Sequence, residues 1–167
     1  PTNENLGIFS NPNGADEGII FSTDNGSTTE MILLNGGNVG IGTASPISPL
    51  QIESSINALS DTDEPENYHL FLRNPGNDND EGVGIAFNIS TGTDDVGSSI
   101  IYKRTDSSAK GELQFYVKTN TSGDGVVTQA MTIDDSANVG IGTTSPGEKL
   151  EVAGNISASG TTTTNAL

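Results

Sequence analysis

The sequence contains no cysteine and no tryptophan, and it has one histidine, His69. Without cysteine the chain forms neither disulfide bonds nor cysteine-based zinc or nucleophilic sites. A single histidine gives no set of imidazole ligands within one chain. A small fold without disulfide bonds needs another source of stability, and oligomerisation is the usual one.

Basic residues are scarce as well, since 6 lysines and arginines stand against 22 aspartates and glutamates. The resulting net charge of −16 excludes a basic nucleic-acid-binding face and disfavours docking on an anionic membrane. No stretch approaches the ~20 apolar residues of a membrane span, so we expect no membrane insertion. The acidic surface promotes solubility and is typical of an extracellular protein.

What the sequence does contain is a duplicated stretch. Residues 38–46 read Asn-Val-Gly-Ile-Gly-Thr-Ala-Ser-Pro, and residues 138–146 repeat them with one change, Ala44 to Thr144. Leu50-Gln-Ile52 and Leu150-Glu-Val152 follow at the same spacing. A match of this length in a fixed register indicates an internal repeat.

Within the motif, Val39 and Ile41 alternate with Gly40 and Gly42. This period of two is typical of a strand with one apolar and one bare face. Glycine in a strand lets another backbone come close, and Ser45-Pro46 excludes a helix at this point. So thin a segment cannot bury itself, and we expect it to need neighbouring copies.

The second copy, residues 139–156, resembles the recurring shaft motif of bacteriophage tail fibres and related trimeric adhesins. The pattern is Val-Gly-Ile-Gly-Thr-x-Ser-Pro, followed by Lys-Leu-x-Val-x-Gly-Asn-Ile. The first copy departs from it, because Pro49 replaces Lys149 and the Gly-Asn-Ile ending is missing. The resemblance implies a parallel homotrimer whose chains intertwine where a β-module narrows into a stalk.

The resemblance also implies which residues form the trimer motif. In the first copy they are Val39, Gly40, Ile41, Gly42, Pro46 and Leu50; in the second they are Val139, Gly140, Ile141, Gly142, Pro146, Leu150 and Val152.

Turn signals and period-two patterns predict an all-β fold of small antiparallel modules joined by extended glycine-rich segments. We expect a first module at 1–34, a motif and connector at 35–67, a second module at 68–134, and a motif with the start of a β-stalk at 135–167. The predicted strands are 6–10, 18–22, 28–34, 68–73, 82–89, 98–104, 111–118 and 125–133, and their spacing suggests a sandwich or barrel in the second module. Residues 54–60 are compatible with a short helical turn.

Candidate sites for chemistry are weak. Three copies of His69 on a threefold axis could bind a metal, but a structural or surface role is favoured. The acidic stretch 77–82 lacks the spacing of a calcium loop, and Asp94-Asp95 and Asp134-Asp135 are isolated pairs interpreted as solvated turns. The aromatic residues are expected in the core. We therefore assign no catalytic, metal-binding or cofactor-binding residue and expect no enzymatic activity.

Taken together, these features predict a structural and adhesive segment of a trimeric phage tail fibre, located in the virion outside the cell. Its partners would be two identical chains and a glycan or protein receptor on the host surface. Two alternatives stay open. One is a bacterial surface adhesin of similar build, and the other is a glycan depolymerase, which would need two carboxylates ~5–9.5 Å apart in a cleft.

Overall fold

The structure is a computed structural model of one chain, and it describes residues 7–10, 18–23, 29–55, 62, 64–89, 95–120 and 127–160. The chain divides into two compact units, Pro1–Phe71 and Leu72–Leu167. Within these described ranges, each unit contains one β-sheet. The described residues include no α-helix, and the all-β prediction is confirmed.

The sheet of the first unit has five strands in the order of the chain. They are β1 (Gly7–Ser10), β2 (Gly18–Ser22), β3 (Met31–Leu34), β4 (Val39–Ile41) and β5 (Leu50–Ile52). The neighbours are antiparallel from β1 to β4, and β5 is parallel to β4.

The sheet of the second unit has six strands, again in chain order. They are β6 (Gly82–Phe87), β7 (Ser98–Arg104), β8 (Gly111–Lys118), β9 (Val127–Ile133), β10 (Val139–Ile141) and β11 (Leu150–Val152). All neighbours are antiparallel except β10 and β11, which are parallel. The predicted strands at 18–22, 98–104 and 111–118 have the observed bounds.

Two predictions about these sheets are wrong. The sheets are mixed rather than antiparallel, because β5 runs parallel to β4 and β11 runs parallel to β10. The second unit is one open sheet, ending at β6 and β11, rather than a sandwich or barrel. Alternation along a strand reports that one face is apolar, but it does not say whether a second sheet of the same chain covers that face.

The predicted strand at 68–73 is also wrong. A short 3-10 turn at Pro65–Asn67 ends at Tyr68, and residues 70–77 have no regular structure. Leu70, Phe71 and Leu72 are exposed. Apolar residues make a strand only where another strand supplies hydrogen bonds, and this segment has none among the described residues. Of the predicted helical turn at 54–60, Ser54 and Ser55 are not helical and the rest lies outside the described residues.

A hydrophobic core is nearly absent from the described part of the chain. Among large aliphatic and aromatic side chains, only Ile32 of β3 is buried, at 2% exposure. The fully or nearly buried side chains of the second sheet are polar: Ser99, Gln114 and Thr132. None of the described aromatic side chains is buried, so the expectation that they form a core is wrong for one chain.

Candidate functional site

The duplicated motif forms the last two strands of each sheet. In the second unit, β10 pairs with β9 through Val139↔Ile133 and Ile141↔Met131, and with β11 through Val139↔Leu150. The first unit repeats this register in β3, β4 and β5. In both copies the motif therefore continues the sheet of the strands that precede it.

The turn before each motif strand has the same backbone hydrogen bonds in both units. The N–H of residue 34 or 134 donates to the carbonyl of residue 38 or 138, at 2.8 and 2.9 Å. The position before the asparagine has positive φ, at 89° in Gly37 and 58° in Ala137. This conformation suits glycine and strains alanine.

Asp134 reinforces the second of these turns. Its carboxylate accepts hydrogen bonds from the Asn138 N–H at 2.7 Å, the Ser136 N–H at 2.9 Å and Asn138 Nδ2 at 3.1 Å. These bonds, led by the one from the Asn138 backbone, hold the pKa of Asp134 below its ordinary value. Leu34 occupies the corresponding position in the first unit and makes no such side-chain bond.

An eight-residue crossover, 42–49 or 142–149, connects the parallel strands. It begins at a glycine with positive φ, 73° in Gly42 and 71° in Gly142. The proline at its centre, Pro46 or Pro146, is buried. A long polar side chain of the last strand holds the crossover in each copy. Gln51 accepts from the residue 47 N–H at 3.0 Å, and Glu151 accepts from the residue 147 N–H at 2.8 Å.

The first glycine of each motif is needed because the crossover folds over it. A Cβ added to Gly140 would lie 2.6 Å from the Thr143 carbonyl oxygen and 3.1 Å from Thr132 Cγ2. A Cβ on Gly40 would likewise lie 2.6 Å from the Thr43 carbonyl oxygen. The backbone that approaches these glycines therefore belongs to the same chain in this structure.

The apolar side chains of the second sheet form rows across it. Residues directly opposite one another in neighbouring strands point to the same face. The first row is Val83, Tyr102, Leu113, Ile133, Val139 and Leu150; the second is Ile85, Ile100, Phe115, Met131, Ile141 and Val152; a shorter third row is Phe87, Ser98, Val117 and Thr128. We call these rows the second apolar face, and they contain no charged residue.

The first sheet carries a matching first apolar face. Its first row is Phe21, Met31, Ile41 and Ile52. Its second row is Ile19, Leu33, Val39 and Leu50. The register of Phe21, Met31 and Ile41 equals that of Phe115, Met131 and Ile141. The structural repeat therefore extends two strands further back than the sequence motif.

Both apolar faces are open in one chain. Side chains of the second face such as Ile100, Ile85 and Leu150 are 37%, 43% and 59% exposed, and Leu50 of the first face is also 59% exposed. The other large members of the rows are half-buried, apart from further exposed ones: Ile19, Leu33, Ile41, Phe87, Tyr102, Val117 and Ile141. A soluble protein seldom leaves so continuous an apolar surface in water unless that surface binds something.

The opposite face of the second sheet is mainly polar, with Ile101 and Val127 as its large apolar side chains. The Tyr116 hydroxyl lies 2.8 Å from Gln114 Oε1 and 3.2 Å from Gln129 Oε1, and Gln114 Nε2 donates to Glu112 Oε1 at 2.7 Å. Lys103 continues the network with ion pairs to Glu112 and Asp80, at 3.3 and 3.1 Å. The hydrogen bond to Asp80 is the largest cause that raises the pKa of Lys103.

A groove of about 570 Å³ lies on this polar face. It is hollow because the β6 residues that point into it are Gly82, Gly84 and Ala86. Among the described residues that line it, Asp80 is the single carboxylate. The groove therefore lacks the carboxylate pair that glycoside hydrolysis uses.

The predicted motif residues divide between the two sides of the sheets. Side chains on the apolar faces are Val39, Ile41, Leu50, Val139, Ile141, Leu150 and Val152, whereas Gly40, Gly42, Pro46, Gly140, Gly142 and Pro146 shape the crossover of their own chain. The sequence reasoning did not assign Ile85, Ile100 or Phe115 to the same surface. Their period-two spacing in the sequence indicates that each lies on one face of a strand. It does not indicate the register between strands, which places them on the same surface.

The other candidate residues do not assemble into a reactive site. His69 Nε2 lies 3.1 Å from the Ser54 carbonyl oxygen. Asp135 accepts from the Thr105 hydroxyl at 2.9 Å and pairs with Lys110, and both contacts lower its pKa. Within the described ranges, no group of three or more His, Cys, Asp or Glu side chains is placed to hold a metal ion.

Comparison with known proteins adds no assignment. Where the structure describes the chain, no helix is long and apolar enough to cross a membrane. No family model matches the chain, and no curated protein matches it.

Proposed function

We propose that this chain is a structural and adhesive segment of a homotrimeric fibre, of the kind found in phage tails, that serves attachment to a host surface. The observation that carries the proposal is a contrast among the described residues, where one large hydrophobic side chain, Ile32, is buried and two apolar faces are open. Burying one isoleucine contributes about 1.5–3 kcal/mol. A stable domain needs about 5–15 kcal/mol in excess of its conformational entropy. A single chain therefore needs partners to be stable.

Identical chains are the partners that this protein always has available. The duplicated motif and its resemblance to fibre shafts support three parallel copies. The net charge of −16 keeps such an assembly soluble and separated from other molecules. Three copies also present every surface loop three times, so a weak contact with a glycan or protein receptor would be strengthened by multivalency.

A bacterial surface adhesin of similar build is the second candidate, and the same apolar faces support it. A glycan depolymerase is disfavoured because the described groove has one carboxylate, Asp80. The proposal therefore assigns the chain no catalytic role and no membrane insertion.

The oligomeric state tests the proposal first. Light scattering after gel filtration is expected to give about three times the chain mass of 17.2 kDa. A monodisperse, strand-rich monomer would overturn the proposal.

Attachment is tested next with fluorescently labelled trimer on a panel of bacterial strains. Saturable binding to some strains is expected, and a shuffled-sequence acidic protein of equal mass serves as the control. Binding to no strain would reject the adhesive role and leave a shaft role. Loss of viscosity of a capsular polysaccharide solution would instead support the depolymerase.

A further inference from the structure

We infer that the three copies meet through the two apolar faces. The motif glycines contact the crossover of their own chain, and the motif valine, isoleucine and leucine side chains contribute to the core shared between copies. This inference rests on the proposed function and names the surface that the proposed trimer uses. The polar face of the second sheet, including the groove beside β6, then points to solvent.

Charge identifies the partner of these faces as further copies of this chain. The chain carries 22 acidic and 6 basic residues, so two copies repel one another over most of their surface. The rows of both faces contain no charged residue. An interface between like-charged chains requires a surface without charged residues, whereas a surface that binds a basic partner would carry carboxylates.

The repeat supports the same identification. Phe21, Met31 and Ile41 of the first sheet have the register of Phe115, Met131 and Ile141 of the second. Large apolar side chains are kept in all of these positions although the sequences between the motifs differ. Each unit of the chain therefore brings one surface of the same design to an oligomer of identical copies.

One charged residue at the border of the second apolar face, Arg104, is held away from it. Arg104 lies two positions beyond Tyr102 in β7, at the end of the rows. Its guanidinium donates to Asn77 Oδ1 at 2.8 Å and to the Asp106 carbonyl at 2.6 Å. The arginine is therefore bound by loops beside the sheet and does not interrupt the apolar rows.

Neighbouring residues on opposite faces of β6 provide a matched test. Ile85 lies in the second row of the apolar face, and Ala86 points to the groove on the polar side. Both are exposed in a single chain. Because the chain has no cysteine, the variants Ile85→Cys and Ala86→Cys each carry one thiol, and both are prepared as the assembled full chain.

Maleimide labelling of the assembled protein is expected to be roughly tenfold or more slower for Ile85→Cys than for Ala86→Cys, because a buried thiol is inaccessible. In denaturant the two rates are expected to become equal. Equal rates in a trimer of unchanged mass would overturn the inference while the proposed trimer stands. A wild-type chain that is monomeric would instead reject the proposed function itself.

A second pair of variants tests the same surface by charge. Ile100→Asp places a carboxylate on the apolar face, and Ala86→Asp places one at an exposed position on the opposite face of the neighbouring strand β6. We expect loss of the trimer only for Ile100→Asp, read by light scattering. A trimer that persists in Ile100→Asp, or that is lost equally in both variants, would contradict the assignment of the faces.

Discussion

Thr132 occupies in the second sheet the position that Ile32 occupies in the first. Ile32 is opposite Gly40, and Thr132 is opposite Gly140. Both side chains are buried, at 2% and 0% exposure. The Thr132 hydroxyl has no hydrogen-bond partner, so the second sheet carries an unsatisfied polar atom where the first has a methyl group.

We therefore predict that Thr132→Val stabilises the protein. A buried polar group without a partner costs about 1–3 kcal/mol, and valine has nearly the same shape. The free energy of unfolding is expected to rise by about 1 kcal/mol in chemical denaturation. Thr144→Val, on the exposed crossover, is the control and should change stability by less than about 0.5 kcal/mol. Destabilisation by Thr132→Val would show that the hydroxyl has a partner, such as a bound water.

The turns before the motif strands give a second prediction. Gly37 has a φ of 89°, so Gly37→Ala should destabilise the protein by about 1 kcal/mol through backbone strain. The adjacent Gly36→Ala is the control, because an added Cβ meets no atom within 4 Å at either position but only Gly37 of the two has a positive φ. Gly36→Ala should not destabilise the protein, since replacing glycine stiffens the unfolded chain. Ala137→Gly, which restores glycine to a φ of 58°, should raise thermal stability. Equal effects of Gly36→Ala and Gly37→Ala would contradict the turn geometry.

A third prediction concerns the glycine under the crossover. Gly140→Ala places a methyl group 2.6 Å from the Thr143 carbonyl oxygen, and such overpacking costs about 1–3 kcal/mol. The melting temperature should fall accordingly. Gly147→Ala, whose Cβ would meet only Glu151 Oε2 at 3.7 Å, should be tolerated. If both variants melt alike, the crossover does not lie over Gly140.

The local pattern of residues was enough to predict most strands but not what they pair with. Leu113, Phe115 and Val117 alternate with polar residues, and the strand at 111–118 follows directly from this alternation. The segment 68–73 is as apolar, yet it is irregular and pairs with no strand in the described part of the chain. The parallel pairing of β10 with β11 depends on an eight-residue crossover held by Glu151. Pairing between strands and side-chain contacts to a crossover leave no periodic signal in the sequence.

The same limit applies to the candidate site. The motif drew attention to Val139, Ile141, Leu150 and Val152, and these side chains do lie on the apolar face. The rest of that face is contributed by β6 to β9. Its continuity arises from strand register, which places Ile85 opposite Ile100 and Phe115 opposite Met131. The glycines and Pro146 have a separate, intrachain role that the motif alone did not reveal.

Acid is predicted to weaken the turn at Asp134. Hydrogen bonds hold the pKa of Asp134 below its ordinary value of 3.8, so the unfolded chain binds a proton at a higher pH than the folded chain does. The stabilisation is fully present above the ordinary value and is lost as the pH falls through the lowered pKa of the folded state. Asp134→Asn should therefore lower the melting temperature at neutral pH, and its difference from wild type should shrink below about pH 4. A difference that is constant from neutral to acidic pH would refute this role of the carboxylate.

The central claim is that one chain lacks a core and is completed by its copies, so dilution tests it most directly. Sedimentation and circular dichroism followed together over a dilution series are expected to show the mass falling from about three times 17.2 kDa and the strand signal disappearing at the same concentration, because assembly and folding are coupled. A species of single-chain mass that keeps the full strand signal would contradict the account.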